Sequence, residues 1–292
     1  MLTNRVEGWR QEGTVEEVLG RRLFVHRHSG SEAPLLFFLH GFPSSSYDWR
    51  RLLELRKGEA TLAFDFLGFG LSEKPRGHLY TLAWQADAAE ELVRRAGSPP
   101  VFLVGHDMGT SVATELMARD LRGKLEMDLR GALLFNGSML LQLAKPTVGQ
   151  RLLRSPLAPL FARLTSARSF RSQFSRIFSP LHPLSAEEAA DQWSLLTHDG
   201  GQRVAHRTIH YMDERERFTE RWHGAIRDWP GPLTLVWGMR DPVSRVEVLD
   251  GLRNLRPGVE TIELPDAGHY PQIEQPELIA DALDFALGRV PG

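Results

Sequence analysis

The chain has 292 residues, 42% of them apolar and 25% charged, with a formal net charge of −2. That length and apolar content suit one large folded unit carrying an insertion, and the near-neutral charge gives no general attraction to nucleic acid. No cysteine is present, which excludes disulfides and thiolate metal sites and fits a reducing compartment, so a cytoplasmic location is expected.

The opening MLTNRVEGWRQEG lacks an apolar run of signal-peptide length, and runs such as LLFFL (35–39) fall far short of the roughly 18 residues that span a bilayer. No transmembrane segment is expected. TVEEVL (14–19) and RLFVH (22–26), joined at Gly20–Arg21, read as a β-hairpin. Four short apolar runs follow, LLFFL (35–39), TLAFD (61–65), VFLVG (101–105) and ALLFN (132–136), each closed by a polar or glycine turn. Such runs fit strands of a parallel sheet buried on both faces. Helical patterns at 81–96 and 109–120 lie between them, and strands alternating with helices imply a doubly wound α/β sheet.

The alternation breaks after Asn136. Residues 138–228 carry Leu, Phe and Arg at helical spacing, prolines at 146, 156, 159, 180 and 183, and no strand pattern. Strands resume at LTLVW (233–237) and VETIEL (259–264), and a last helix is expected over 276–287. The middle segment therefore reads as a helical insertion near the C-terminal edge of the sheet, over the crevice where open α/β sheets bind ligands. The expected organisation is a core from 1–137 and 229–292, with a helical cap from 138–228.

The chemistry-bearing residues converge on that edge. Gly105-His106-Asp107-Met108-Gly109 has the glycine spacing of the strained turn that exposes a nucleophile in G-x-S-x-G proteins, with aspartate in the serine position. By itself Asp107 also reads as a helix N-cap. Asp241, in GMRDPV, and His269, in DAGHYP, each follow a strand and complete the chain order nucleophile, acid, histidine. His40-Gly41-Phe42-Pro43 follows the strand LLFFL, where a loop amide completes an oxyanion hole, so the backbone N–H groups of Phe42 and Met108 are the expected donors.

HGFPSSSYDW (40–49), DFLGFGLSEKP (65–75), GHDMG (105–109), GMRDPV (238–243) and GHYPQIEQP (268–276) together resemble the α/β-hydrolase superfamily, in its aspartate-nucleophile branch of epoxide hydrolases and haloalkane dehalogenases. The resemblance implies the α/β-hydrolase fold, a mostly parallel sheet with an inserted helical cap. A carboxylate suits displacement at saturated carbon and leaves an alkyl ester. Asp107 is then the expected nucleophile, with His269 oriented by Asp241 to activate water against the ester.

Family dehalogenases place a tryptophan after the nucleophile and often an asparagine in the H-G-N-P turn. Here those positions hold Met108 and Phe42, whose side chains cannot donate, leaving Trp193 or Trp222 of the insertion as substitutes. Family epoxide hydrolases use two cap tyrosines. The setting of Tyr211, RTIHYMDERERFTERW, resembles the later of the two, while the earlier one has no counterpart. Tyr211 is thus the candidate acid for the leaving oxygen, with His206 and His210 as alternative donors and a packing role with a surface hydroxyl as the plain alternative. The expected activity is opening of epoxides to diols; the alternatives are a haloalkane dehalogenase using the same triad and a non-catalytic binder of small ligands.

Asn136 sits where some relatives keep an alternative acid, a role an amide cannot take, which favours Asp241. Residues 145–180 hold seven basic and no acidic side chains (Lys145, Arg151, Arg154, Arg163, Arg168, Arg171, Arg176). That stretch reads as a solvated cap face with its apolar side packed inward, the alternative being a face for an anionic lipid surface or an acidic substrate. DERERFTER (213–221) reads as a solvated helix surface. The eleven histidines show no metal-binding spacing, so no metal or cofactor is expected; the expected partner is a small hydrophobic substrate.

Overall fold

The computed structural model describes residues 1–30 and 32–290. Eight strands form one sheet: β1 Thr14–Val18, β2 Arg21–His28, β3 Glu32–Leu39, β4 Glu59–Phe64, β5 Val101–His106, β6 Leu129–Phe135, β7 Leu233–Gly238 and β8 Glu260–Leu264. Their order is β1-β2-β4-β3-β5-β6-β7-β8. β1 pairs antiparallel with β2 and β2 with β4; every other pairing is parallel. The hairpin turns one residue earlier than its glycine suggests, at Leu19–Gly20, where both residues take positive φ (52° and 72°) as a tight hairpin requires.

Side-chain alternation divides the core into two layers. Phe37 and Leu39 of β3, Leu103 of β5 and Leu235 of β7 pack with the helices Leu82–Arg95, Met108–Asp120 and Val246–Leu255. Leu36 and Phe38, Phe102 and Val104, and Val236 face the other way, onto the helices Asn4–Glu12, Arg50–Leu55 and Pro276–Leu287. Both faces of β5 and β7 are buried throughout, which explains why they read as continuous apolar runs. The helix Asn4–Glu12 carries no clear amphipathic pattern, yet it seats Val6 and Trp9 against the sheet.

Between β6 and β7 the described residues form helices and turns only, the longest being Ala186–Thr197 and Thr219–Asp228. A small core of their own, with Phe170, Phe174, Ile177 and Phe178, includes Val243 and Tyr270 from the loops after β7 and β8. Polar ties reinforce the join: the Tyr47 hydroxyl donates to Asp191 (2.7 Å) and the Gln192 amide to Asp48 (2.7 Å). The insertion thus rests on the C-terminal edge of the sheet.

The strand-to-helix turn after β5 is crowded. A Cβ on Gly109 would lie 2.0 Å from the carbonyl oxygen of Leu39, a backbone atom that cannot step aside. Gly109→Ala is expected to cost about 1–3 kcal/mol of stability through overpacking, measured as a lower midpoint of urea unfolding with an unchanged slope.

Candidate active site

Asp107 is held at φ 46°, ψ −108°, a conformation side chains rarely adopt, between the end of β5 and the first turn of the helix Met108–Asp120. Such strain persists only where the surroundings over-determine it, and here the turn is closed from several sides. The Thr110 hydroxyl donates to the Asp107 carbonyl (2.6 Å), as does Arg215 Nη2 (2.8 Å), while Gly41 lies so close that a Cβ there would sit 2.8 Å from the Asp107 Cβ. The carboxylate is buried. Its Oδ1 accepts from the Phe42 N–H (2.9 Å), and its Oδ2 has no partner and lies 3.9 Å from His269 Nε2. The N–H of Met108 opens the helix directly after it.

His269 donates from Nδ1 to Asp241 Oδ2 (2.7 Å), which turns Nε2 toward Asp107. Asp241 Oδ1 accepts from the Val243 N–H (2.7 Å), and its Oδ2 also accepts from the amide of Asn136 (2.8 Å). Asn136 accepts in turn from the N–H of Gly238 (2.9 Å), so its amide is oriented as a donor to the acid. Burial by itself would lower the pKa of His269. The charge of Asp241, its hydrogen bond and the charge of Asp107 outweigh that, and the imidazole is raised above its ordinary 6.5.

Three further residues hold this arrangement and were not singled out by sequence. His106 donates from Nε2 to the His269 carbonyl (2.7 Å) and accepts at Nδ1 from the Gln272 amide (3.1 Å), which requires a neutral ring; burial depresses its pKa to about 3. Glu274 accepts from the backbone N–H groups of Gly268, Tyr270 and Ser179 (2.8, 3.0 and 2.9 Å), clamping the His269 loop to the insertion. Arg215 is buried, donates from Nε to Ser111 (2.8 Å) as well as to Asp107, and lies 4.7 Å over the Tyr211 ring. This corrects the reading of 213–221 as a solvated surface. Arg215 turns inward beneath the elbow, Glu214 accepts from the N–H of Leu82 (3.1 Å), and the helix breaks at Phe218. Charged residues at helical spacing carry no signal for such burial.

Tyr211 is fully buried, 5.7 Å from the ring of Phe42; its hydroxyl makes no hydrogen bond of good geometry, and the side chain of Gln150 lies nearest to giving it one. The expected packing role with a surface hydroxyl does not describe it. Burial and the charge of Asp107, opposed by that of Arg215, hold the phenol above its usual range, so it stays protonated. His210 is exposed and pairs with Asp213, and none of His206, His210 and Tyr211 is among the residues lining the pocket beside His269; Tyr211 reaches it only through Phe42, against which it packs. The tryptophans are placed elsewhere. Trp222 donates its indole N–H to Glu115 (2.8 Å), and Trp193 packs 5.6 Å from Phe170 outside the pocket lining.

A pocket open to solvent on one side lies between core and insertion. Phe42, Leu153, Phe161, Phe174, Ile177 and Val243 give it apolar walls; Gln150, Gln173 and His269 are among its polar groups. It suits a small hydrophobic molecule. Among the described residues no group of three His, Asp or Glu side chains could hold a metal ion, and no helix is long and apolar enough to cross a membrane.

A sheet in this order, with a strained acidic elbow, a histidine–aspartate pair and a loop amide at one edge, defines a hydrolase of the α/β class, and the chain belongs to the alpha/beta hydrolase family, whose model matches residues 36–282. It is 50% identical to "Putative hydrolase LipZ" of Mycobacterium tuberculosis over 97% of this chain and 98% of that one. It is 32% identical to the mesoderm-specific transcript homolog protein of Bos taurus, over 94% and 85% of the two chains. Among solved structures it resembles the haloalkane dehalogenase DatA of Agrobacterium tumefaciens, with a TM-score of 0.76 at 21% identity over 96% and 97% of the chains.

Asn136→Asp is expected to set a second carboxylate against Asp241. Like charges raise the pKa of one of the pair in the folded state, so the variant's loss of melting temperature grows as pH rises from about 5 to about 8. A pH-independent loss would mean that Asn136 acts by packing alone.

Proposed function

We propose that this hydrolase opens epoxides to vicinal diols through a covalent ester on Asp107, with residues 138–228 as a cap over the site, working as a cytoplasmic enzyme. One observation carries the reading: Asp107 keeps one oxygen on the Phe42 amide and the other unpaired, 3.9 Å from Nε2 of His269, a residue that lines the pocket. The free Oδ2 attacks an epoxide carbon. The C–O bond of the ring breaks, and its electron pair goes to the ring oxygen, which takes the Tyr211 proton. His269 Nε2 then removes a proton from water as that water attacks Cγ of Asp107. Charge develops on Oδ1, where the Phe42 and Met108 amides stabilise it; removing one such donor typically costs about 3–4 kcal/mol. Collapse expels the diol oxygen, which takes a proton, and the remaining proton restores the phenol.

The dehalogenase alternative has less support. A halide needs N–H donors, and the indole of Trp222 is committed to Glu115 while Trp193 stands outside the pocket. The buried phenol of Tyr211, kept protonated and set against Phe42, favours the epoxide, whose ring oxygen needs a proton as it leaves.

The test is incubation with styrene oxide-type epoxides and, separately, bromoalkanes, following diol and halide, with Asp107→Asn as control. Diol without halide supports the reading, and halide release overturns it. A single turnover in 18O-water is expected to leave the diol unlabelled and label Asp107, since the first oxygen delivered comes from the carboxylate. His269→Gln is expected to accumulate the ester, visible by intact mass; no adduct with any electrophile favours the non-catalytic binder.

Tyr211→Phe is expected to slow epoxide opening by roughly 10²–10⁴-fold while changing the melting temperature little, because the ring keeps its packing against Phe42 and only the hydroxyl is lost. Decay of the ester is expected to rise with pH as His269 loses its proton, then level off. Its midpoint falls below that of the imidazole in the free enzyme, because alkylation cancels the Asp107 charge that helps raise it. Rapid-quench measurement of the decay, set beside an NMR titration of the free enzyme, checks both.

A further inference from the structure

Residues 145–180 of the insertion leave both apolar and basic side chains exposed. Phe161 and Ala162 of the helix Ala158–Leu164 line the pocket, while Leu157, Leu160 and Leu164, three and four residues apart, are 64%, 56% and 71% exposed. Val148, on the helix Val148–Leu153 packed beside it, is 55% exposed. This departs from the expectation that the apolar side of the stretch packs inward: Phe170 and Phe174 do, and these four residues do not. The side chain of Arg163 lies outside those described. Arg151, Arg168, Arg171 and Arg176 are exposed, and among the described residues none of the four is in an ion pair; Arg154 alone of the stretch pairs with Asp213 and Glu216. No acidic residue occurs from 145 to 180, although the whole chain carries −2.

We propose that this face docks onto an anionic lipid bilayer. Leucines at the start and along the helix Ala158–Leu164 enter the boundary between headgroups and acyl chains, and the exposed arginines of the same stretch, first of them Arg151 on the helix packed beside it, meet lipid phosphates. The same helix then places the pocket wall next to the membrane, so that a lipophilic substrate passes from the acyl layer past Phe161 without crossing water. A second copy of the chain fits poorly, because a self-complementary interface would oppose this basic surface to itself.

The experiment is co-sedimentation of the purified protein with vesicles of phosphatidylcholine alone and with phosphatidylglycerol added, at low and high salt, alongside light scattering without lipid. Binding is expected only to the anionic vesicles and is weakened by salt. The pair Leu160→Asp and Leu164→Asp is expected to abolish it, with the thermal melt confirming that the variant folds. The pair Arg168→Gln and Arg171→Gln, which leaves the leucines in place, is expected to lower partitioning by roughly 30-fold, at about fivefold per basic residue near an anionic surface. The proposal is overturned if the protein does not sediment with anionic vesicles, or if the leucine pair binds as well as the parent. It is also overturned if light scattering shows a dimer that the leucine pair converts to monomer, which would make the face a self-interface.

Discussion

The close approach of the helix Met108–Asp120 to the end of β3 is the constraint on which the rest of the site depends. With Gly109 against the Leu39 carbonyl, the helix can begin only if the residue before it takes a positive φ, and that residue is Asp107. The same approach brings the loop after β3 under the turn, so the Phe42 amide meets one carboxylate oxygen instead of solvent. Position, strain and the direction of the carboxylate therefore follow from one backbone contact.

Burying several ionisable groups together is costly, and the structure offsets the cost with a division of charge states. His40 and His106 are fully buried and kept neutral, with depressed pKa values of about 3. Each then serves as a one-donor, one-acceptor spacer: His40 donates to the Gly41 carbonyl and accepts from Phe66, and His106 bridges Gln272 and the His269 carbonyl. His269 alone among these three has carboxylates on both sides of its ring, and it alone is raised. A protonatable imidazole in this interior is thus a consequence of where Asp107 and Asp241 lie.

The insertion does more than line the pocket. Its Ile177 carbonyl accepts the N–H of His269 and its Ser179 N–H donates to Glu274, so the loop that carries the imidazole is partly built by a segment nearly a hundred residues away in sequence. Arg215 completes the other side by joining the insertion to the Asp107 carbonyl. Movement of the insertion would therefore be felt at the imidazole and at the elbow together.

Much of this was legible in the amino-acid order. Apolar runs punctuated by glycine and polar turns marked the strands of the sheet, because a strand buried on both faces tolerates little else, and the spacing of Gly105, Asp107 and Gly109 marked the elbow. Asp241 and His269 were legible because each closes a strand, and the sheet brings strand ends to one edge. What the tertiary structure alone decided is how the insertion meets that edge. Helical periodicity reports which residues share a face but not what the face meets, so the stretch holding Arg215 read as solvated while Arg215 is buried, Trp222 read as a donor and is occupied by Glu115, and the apolar side of 145–180 read as packed inward while Leu157, Leu160 and Leu164 face outward. Local sequence determined the strands and the chemistry at their ends; packing between segments distant in the chain decided which side chains face the pocket, the core or the solvent.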